Sequence, residues 1–178
     1  MGFFDFLDPF QNPWSYMLLL FIYCVLAAVI LPIPVELGLA GFISYLVEGN
    51  SFLGLPIFLA FLLLALIMGA GKCVGSWVVF HIGVKVEDTM RRFLKWNWFQ
   101  KLTEALSRFC ERFGYIATYI VLSIPIMPDT VPLYIFSLLN RDGEVFETRW
   151  FVLTNFWAGT SRALVVGILV LGGLWSFA

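Results

Sequence analysis

The chain has 178 residues, 61% of them hydrophobic and 13% charged, whereas a soluble domain carries roughly 45–50% apolar and about 25% charged residues. A mean hydropathy of +0.90 excludes an ordinary water-exposed surface, and a net charge of −1 excludes the basic field that nucleic acid requires. The length suits one domain, 1–178, and the composition predicts that its solvent is hydrocarbon.

Residues 1–14 are aromatic and faintly acidic, with Phe3, Phe4, Phe6, Phe10 and Trp14 beside Asp5 and Asp8, as expected for chain at a membrane interface. They carry no Lys or Arg and no small-residue cleavage site, so they do not read as a signal peptide. The first apolar limb, Met17–Leu31, would reach only about 22 Å as a helix, against a hydrocarbon core of roughly 30 Å. It ends at Pro32 and Pro34, which remove backbone donors and break the helix. The next limb, Leu37–Val47, would reach about 16 Å. Two limbs too short to cross, joined by a proline break, predict a re-entrant hairpin. Leu53–Ile82 follows and is long enough to span, at about 45 Å. It carries Lys72 among Gly69, Gly71 and Gly75, small residues that admit a close helix neighbour within the chain or in a homo-oligomer.

Residues 84–112 form the polar part of the chain. Phe99, Leu102, Leu106, Phe109 and Phe113 recur at helical spacing, while Arg91, Arg92, Lys95, Lys101, Arg108 and Arg112 mostly fill the remaining positions. This predicts an amphipathic helix lying on the membrane surface. Tyr115–Ile124 would reach about 15 Å before a second break at Pro125 and Pro128. A limb Val131–Leu139, interrupted by Pro132, and a polar loop 140–149 lead to Trp150–Phe177, which would reach about 42 Å and carries Arg162.

One pattern is thus written twice: repeat 1 over about 15–83, an amphipathic linker 84–112, and repeat 2 over about 113–177. Glu36 precedes Lys72 by 36 residues and Asp129 precedes Arg162 by 33, while Ser44 and Ser137 each follow the acid by eight. The predicted fold class is an all-α integral membrane protein of two inverted repeats, each a proline-broken hairpin followed by a transmembrane helix. Each copy would cross once, placing loops 84–112 and 140–149 on one side and the termini and the 48–51 turn on the other. Lys85, Arg91, Arg92, Lys95, Lys101, Arg108, Arg112, Arg141 and Arg149 all fall on the first side, and no Lys or Arg falls on the second. The positive-inside rule makes those loops cytoplasmic and the termini external.

Glu36, Lys72, Asp129 and Arg162 would then lie at membrane depth, where each isolated charge costs about 2.5–3.5 kcal/mol. They are expected to be paired, wetted by a midplane cavity between the hairpin tips, or both. An ion-pair cluster that only pins hairpins to helices would satisfy the same residues. So would a substrate site, with Lys72 and Arg162 attracting a phosphate and Glu36 or Asp129 carrying a proton. His81, the single histidine, reads as an interfacial residue, and Cys24, Cys73 and Cys110 as small buried apolar side chains. No metal-ligand spacing, HExxH or GxSxG motif is present, so no metal, cofactor or enzymatic activity is expected.

Three stretches carry a resemblance. Pro32-Ile33-Pro34-Val35-Glu36 followed by Gly41, Gly75-Ser76-Trp77-Val78-Val79-Phe80-His81-Ile82-Gly83, and Pro125-Ile126-Met127-Pro128-Asp129 resemble, in that order, motifs of the DedA family, also called SNARE-associated Golgi protein or VTT-domain proteins. The resemblance runs from about residue 30 to 172. It implies lipid movement across a bilayer: polyprenyl-phosphate carriers in bacteria, phospholipid scrambling in eukaryotes. Bacterial members carry an aspartate where this chain has Ser76, and arginines where it has Leu122 and Pro128; Lys72 and Arg162 are expected to supply that positive charge. The expected function is a lipid or lipid-phosphate flippase or scramblase in a prokaryotic plasma membrane, with membrane lipids as partners. The alternatives are a proton- or cation-coupled exporter of a small solute and a membrane assembly scaffold.

Overall fold

The computed structural model describes residues 12–31, 33–39, 42–43, 51–83, 97–139 and 146–176. Pro32, Ser44, Lys85, Arg91, Arg92, Lys95, Arg141, the aromatic stretch 1–11 and most of loop 140–149 lie outside them. The described residues are mostly helical, in the order α1 (Pro13–Val29), a 3-10 turn (Val35–Leu39), α2 (Ile57–Gly83), α3 (Asn97–Phe113), α4 (Tyr115–Ser123), α5 (Thr130–Leu139) and α6 (Thr148–Ser176).

Helix α1 begins where Asn12 caps it, its side-chain oxygen accepting from the Ser15 N–H, with Pro13 in the first turn, where a missing donor costs nothing. Its 17 residues stop at Ile30, just ahead of the proline pair. Beyond Pro34 the chain turns back along α1. The Tyr23 hydroxyl donates to the Pro34 carbonyl at 2.9 Å and the Tyr16 hydroxyl to the Gly38 carbonyl at 2.6 Å, so later residues meet earlier ones. This is the reversal expected of a hairpin.

The second break behaves differently. Helix α4 ends at Ser123, Pro125 and Pro128 flank the turn, and α5 restarts at Thr130. The expected interruption at Pro132 is absent: α5 runs unbroken from Thr130 to Leu139. Pro132 falls in its first turn, whose N–H groups have no intrahelical acceptor, so proline removes no bond there. Ile126, at the tip, has φ +66, a left-handed conformation that strains a β-branched residue.

Helices α2 and α6, of 27 and 29 residues, form the centre of the molecule and are long and apolar enough to cross a membrane. They run antiparallel: Gly167 meets Phe61 near one end, and the rings of Phe80 and Phe151 lie 5.0 Å apart near the other. Glycines set how closely their neighbours approach. A Cβ at Gly71 or Gly75 would lie 2.7 Å from Cys24 Cβ or 2.5 Å from Ala28 Cβ on α1, and one at Gly69 would overlap Thr160 on α6. The glycines that could have served a homo-oligomer are thus occupied by packing within the chain.

Two apolar clusters result. One joins α1, the 3-10 turn, Phe42, Phe52 and the first half of α2 around Leu20, Leu64 and Met68. The other joins α3, α4, α5 and the first half of α6 around Leu122, Phe136 and Phe151. Helix α3 keeps Lys101, Glu104, Arg108 and Arg112 exposed, as its pattern predicts. Part of its apolar face, however, is spent on protein: Leu106 and Cys110 are buried with Ala117 and Val121. The turn at Gly114, with φ +54, brings α4 straight back onto that face.

Candidate functional site

Glu36, Lys72, Asp129 and Arg162, separated by up to 126 residues in sequence, converge in one cluster. Lys72 sits near the middle of α2 and Arg162 near the middle of α6, in both helices between the two apolar clusters. Glu36 comes from the 3-10 turn after the first break, and Asp129 from the residue that precedes α5.

Arg162 is the hub. Its Nε and Nη2 both donate to the Glu36 carboxylate, the second at 2.8 Å to Oε2, giving a two-point grip. Its Nη1 donates to Asp129 Oδ1 at 2.8 Å, and Nη2 also reaches the Met127 carbonyl at 2.7 Å. A rigid guanidinium can serve several acceptors at fixed angles, which an ammonium cannot. Lys72 Nζ donates to Asp129 Oδ1 at 3.0 Å and to the Leu122 carbonyl at 3.3 Å. Each long helix therefore pairs across the pattern: Lys72 of the first segment binds the acid of the second, and Arg162 binds both.

The two breaks are tied to each other as well. The Ile126 N–H donates to Glu36 Oε1 at 3.1 Å. The Thr130 hydroxyl lies 2.8 Å from the Ala27 carbonyl and 3.0 Å from that of Leu31, and Tyr134 donates to Val29 at 3.0 Å. These carbonyls belong to the last turn of α1 and the residues after it, where no intrahelical donor is left. The second tip thus caps the first.

Two acids and two bases sum to zero, and the cluster is closed. The side chains of Lys72 and Arg162 are fully buried, Asp129 is 1% exposed and Glu36 9%. Of the two expected ways to hold these charges, pairing is the one seen among the described residues. The reason is geometric. Gly159 opposite Lys72 leaves room for its stem, since a Cβ there would lie 2.7 Å from Lys72 Cδ, and the ammonium can then reach Asp129 directly. One carboxylate atom is left over: Asp129 Oδ2 is buried without a hydrogen-bond partner.

Of the other predicted residues, Pro34, Pro125 and Pro128 sit at the two breaks, and Pro132 sits inside α5. His81 is exposed near the end of α2, its Nδ1 2.8 Å from the Trp77 carbonyl and its ring 4.5 Å from the Trp77 ring, away from the cluster. Cys24 and Cys110 are buried, but Cys73 is only half-buried. Among the described residues no three His, Cys, Asp or Glu side chains converge as a metal site would need. Sequence reasoning named Ser76 only as a departure from the aspartate of the DedA motif and missed Thr118 and Asn155; all three are polar side chains buried one turn from the residues around Lys72. Their spacing of four from Lys72, Leu122 and Gly159 was available as a signal. Comparison of the chain with protein families, curated proteins and solved structures finds no match.

Proposed function

We propose that this chain is an integral membrane protein that moves a lipid or lipid phosphate across the bilayer, with the four-charge cluster as the place where the head group is received. Helices α2 and α6 cross the membrane, and the two proline-broken hairpins enter from opposite sides and meet between them, as inverted repeats do. Support for the membrane comes from the outer surface. Leu18, Ile22, Leu26 and Ile30 line the outside of α1; Phe58, Leu66 and Trp77 that of α2; and Trp157, Ile168 and Leu169 that of α6, all exposed. Water does not tolerate an apolar surface that continuous, and lipid requires it.

The observation that carries the transport reading is the cluster itself. A neutral set of two acids and two bases, buried midway along both long helices, holds the tips of both hairpins with hydrogen bonds. An anionic head group can replace a carboxylate as partner of Arg162 or Lys72, and so part a hairpin from its helix and open a path beside it. An open groove of about 420 Å³ beside the second hairpin, lined by Tyr115, Ile116, Tyr119, Leu153, Thr154 and Trp157, suits an acyl chain at the lipid face. The polar loops are cytoplasmic and the termini external, in a prokaryotic plasma membrane. The likeness to DedA proteins points the same way and makes a polyprenyl phosphate the preferred cargo. A scaffold is the second reading, favoured by the closure of the cluster, which leaves Glu36 and Arg162 fully engaged with each other.

The test is reconstitution in liposomes with a labelled phospholipid and a labelled polyprenyl phosphate, with and without a proton gradient. Glu36→Gln and Lys72→Met run beside the charge-conserving Glu36→Asp and Lys72→Arg, each first shown to melt cooperatively. Movement in the parent that is lost in the neutralised variants and partly kept in the conservative ones supports transport. No movement of either lipid under any gradient sinks it and favours the scaffold.

A further inference from the structure

Below the ion cluster lies a second polar layer. Lys72 is surrounded by Gly159 of α6, which lies against its stem, and by the Leu122 carbonyl of α4, which accepts from its ammonium. Four residues along each of these helices, towards the end where Gly83 and Thr148 lie, come Ser76 on α2, Asn155 on α6 and Thr118 on α4. Four residues of helix are about 6 Å, so Ser76 and Asn155 return to nearly the face that Lys72 and Gly159 share; Thr118 lies at the same level on α4, between the Leu122 carbonyl bound by Lys72 and Tyr115, whose hydroxyl accepts from the Glu147 N–H. The register of α2 on α6 agrees: Ser76 and Asn155 fall midway between the Lys72–Gly159 contact and the Phe80–Phe151 contact. All three side chains belong to residues that are 0% exposed.

Their hydrogen bonding is incomplete. The Ser76 hydroxyl donates to Cys73 at 2.9 Å and Asn155 Nδ2 to Phe151 at 3.0 Å, both within their own helices. Thr118 Oγ1 and Asn155 Oδ1 have no partner. Buried polar atoms in that state are rare, and where several converge an internal water satisfies them. We infer that Ser76, Thr118 and Asn155 bind ordered water one helical turn from Lys72. The donors and acceptors balance for one molecule: its two hydrogens go to Asn155 Oδ1 and the free lone pairs of Ser76 Oγ, and it accepts from the Thr118 hydroxyl. A cation is a poorer occupant, because Lys72 stands one turn away.

The unpartnered polar atoms of Thr118 and Asn155 lie on this side of the cluster; on the other side the buried Thr160 hydroxyl is satisfied by its own helix, at 2.9 Å from the Phe156 carbonyl. That side is otherwise packed by Met68, Leu64, Phe61, Phe42 and Phe52, the phenylalanine rings 5.1 and 5.2 Å apart. On the water side a further polar step follows: the Ser137 hydroxyl, 3.5 Å from the Val79 carbonyl. The water would lie about 6 Å from Lys72 on the side of the Gly83–Thr148 end, where a second donor is needed to pass a proton on to the cluster. That proton transfer rests on the transport reading; the water site itself does not.

The experiment is thermal melting of the full chain in detergent for Thr118→Val, Asn155→Leu and the double variant, with Thr118→Ser as control. A hydrated site predicts that each single variant melts several degrees lower, because the water loses a partner it cannot replace. The double variant expels the water and loses less than the two singles together, and Thr118→Ser, which keeps the hydroxyl and gives up only a buried methyl, loses less than Thr118→Val. A dry site predicts the reverse, since removing an unsatisfied polar atom stabilises; a gain or no change in either single variant overturns the inference. These outcomes are independent of whether any lipid moves.

Discussion

Glu36 and Asp129 both carry a carboxylate from a proline-bounded break to Arg162, yet they are held in different ways. Glu36 is used up: Oε1 accepts from Arg162 and from the Ile126 N–H, and Oε2 from Arg162 again. Asp129 accepts from Lys72 and Arg162 through one oxygen and leaves the other unpartnered. A carboxylate with both oxygens engaged is held at two points, whereas one with a free oxygen can accept another donor. Two breaks that look equivalent in sequence therefore differ in structure: the acid of the first is bound through both oxygens, and that of the second through one.

The largest effect should come from the shared residue. Arg162→Met leaves two carboxylates buried without their main partner and should cost about 3–5 kcal/mol, the range for breaking a buried pair from one side. Thermal unfolding followed by tryptophan fluorescence in detergent measures it, and a loss below that of every other variant would mean the hub is elsewhere. Next, Glu36→Gln should cost about 3 kcal/mol and Asp129→Asn about half as much. The Asn oxygen can still accept from Lys72 and Arg162 while its amide replaces an atom that had no partner, whereas Gln cannot accept from two directions of the guanidinium. Equal losses would break the contrast between the two tips.

A smaller and sharper effect lies in coupling. Lys72→Met with Asp129→Asn restores neutrality and leaves the Glu36–Arg162 grip intact. The double variant should therefore be more stable than the sum of its parts by about 1 kcal/mol or more. Glu36→Gln with Arg162→Met should recover less, because Arg162 also holds Asp129 and the Met127 carbonyl. Additive losses in the first pair would show that Lys72 and Asp129 do not act as a unit. Smallest is Ile126→Gly. It relieves a left-handed backbone at an exposed tip and should raise stability by about 1 kcal/mol, offset in part by glycine's chain entropy. A loss instead would mean that the isoleucine side chain itself holds the tip.

Much of this architecture was legible before any coordinates, because it depends on local physics. The first limb follows from its uninterrupted apolar run, the breaks from Pro34, Pro125 and Pro128, and the two long helices from stretches without a stop, while most of the limb Leu37–Val47 lies outside the described residues. The four buried charges could be named because an isolated charge in an apolar helix demands a partner. Pro132 was misread because a proline breaks a helix only beyond its first turn, and the start of α5 depends on the tip before it. The face of α3 was misread in part because an apolar stripe shows that something apolar covers it, without showing whether lipid or protein does.

From sequence alone came the segments, the breaks and the requirement that two acids and two bases neutralise one another. The tertiary structure decided which acid meets which base, that Arg162 serves both breaks, that the glycines of α2 face α1 and α6, and that Ser76, Thr118 and Asn155 are fully buried. The division has a physical cause. Propensity, chain breaks and hydropathy act over a turn or two of chain. The pairing of Glu36 with Arg162 depends on the rotation and register of helices far apart in sequence, which the close packing of glycine against cysteine, alanine and threonine sets.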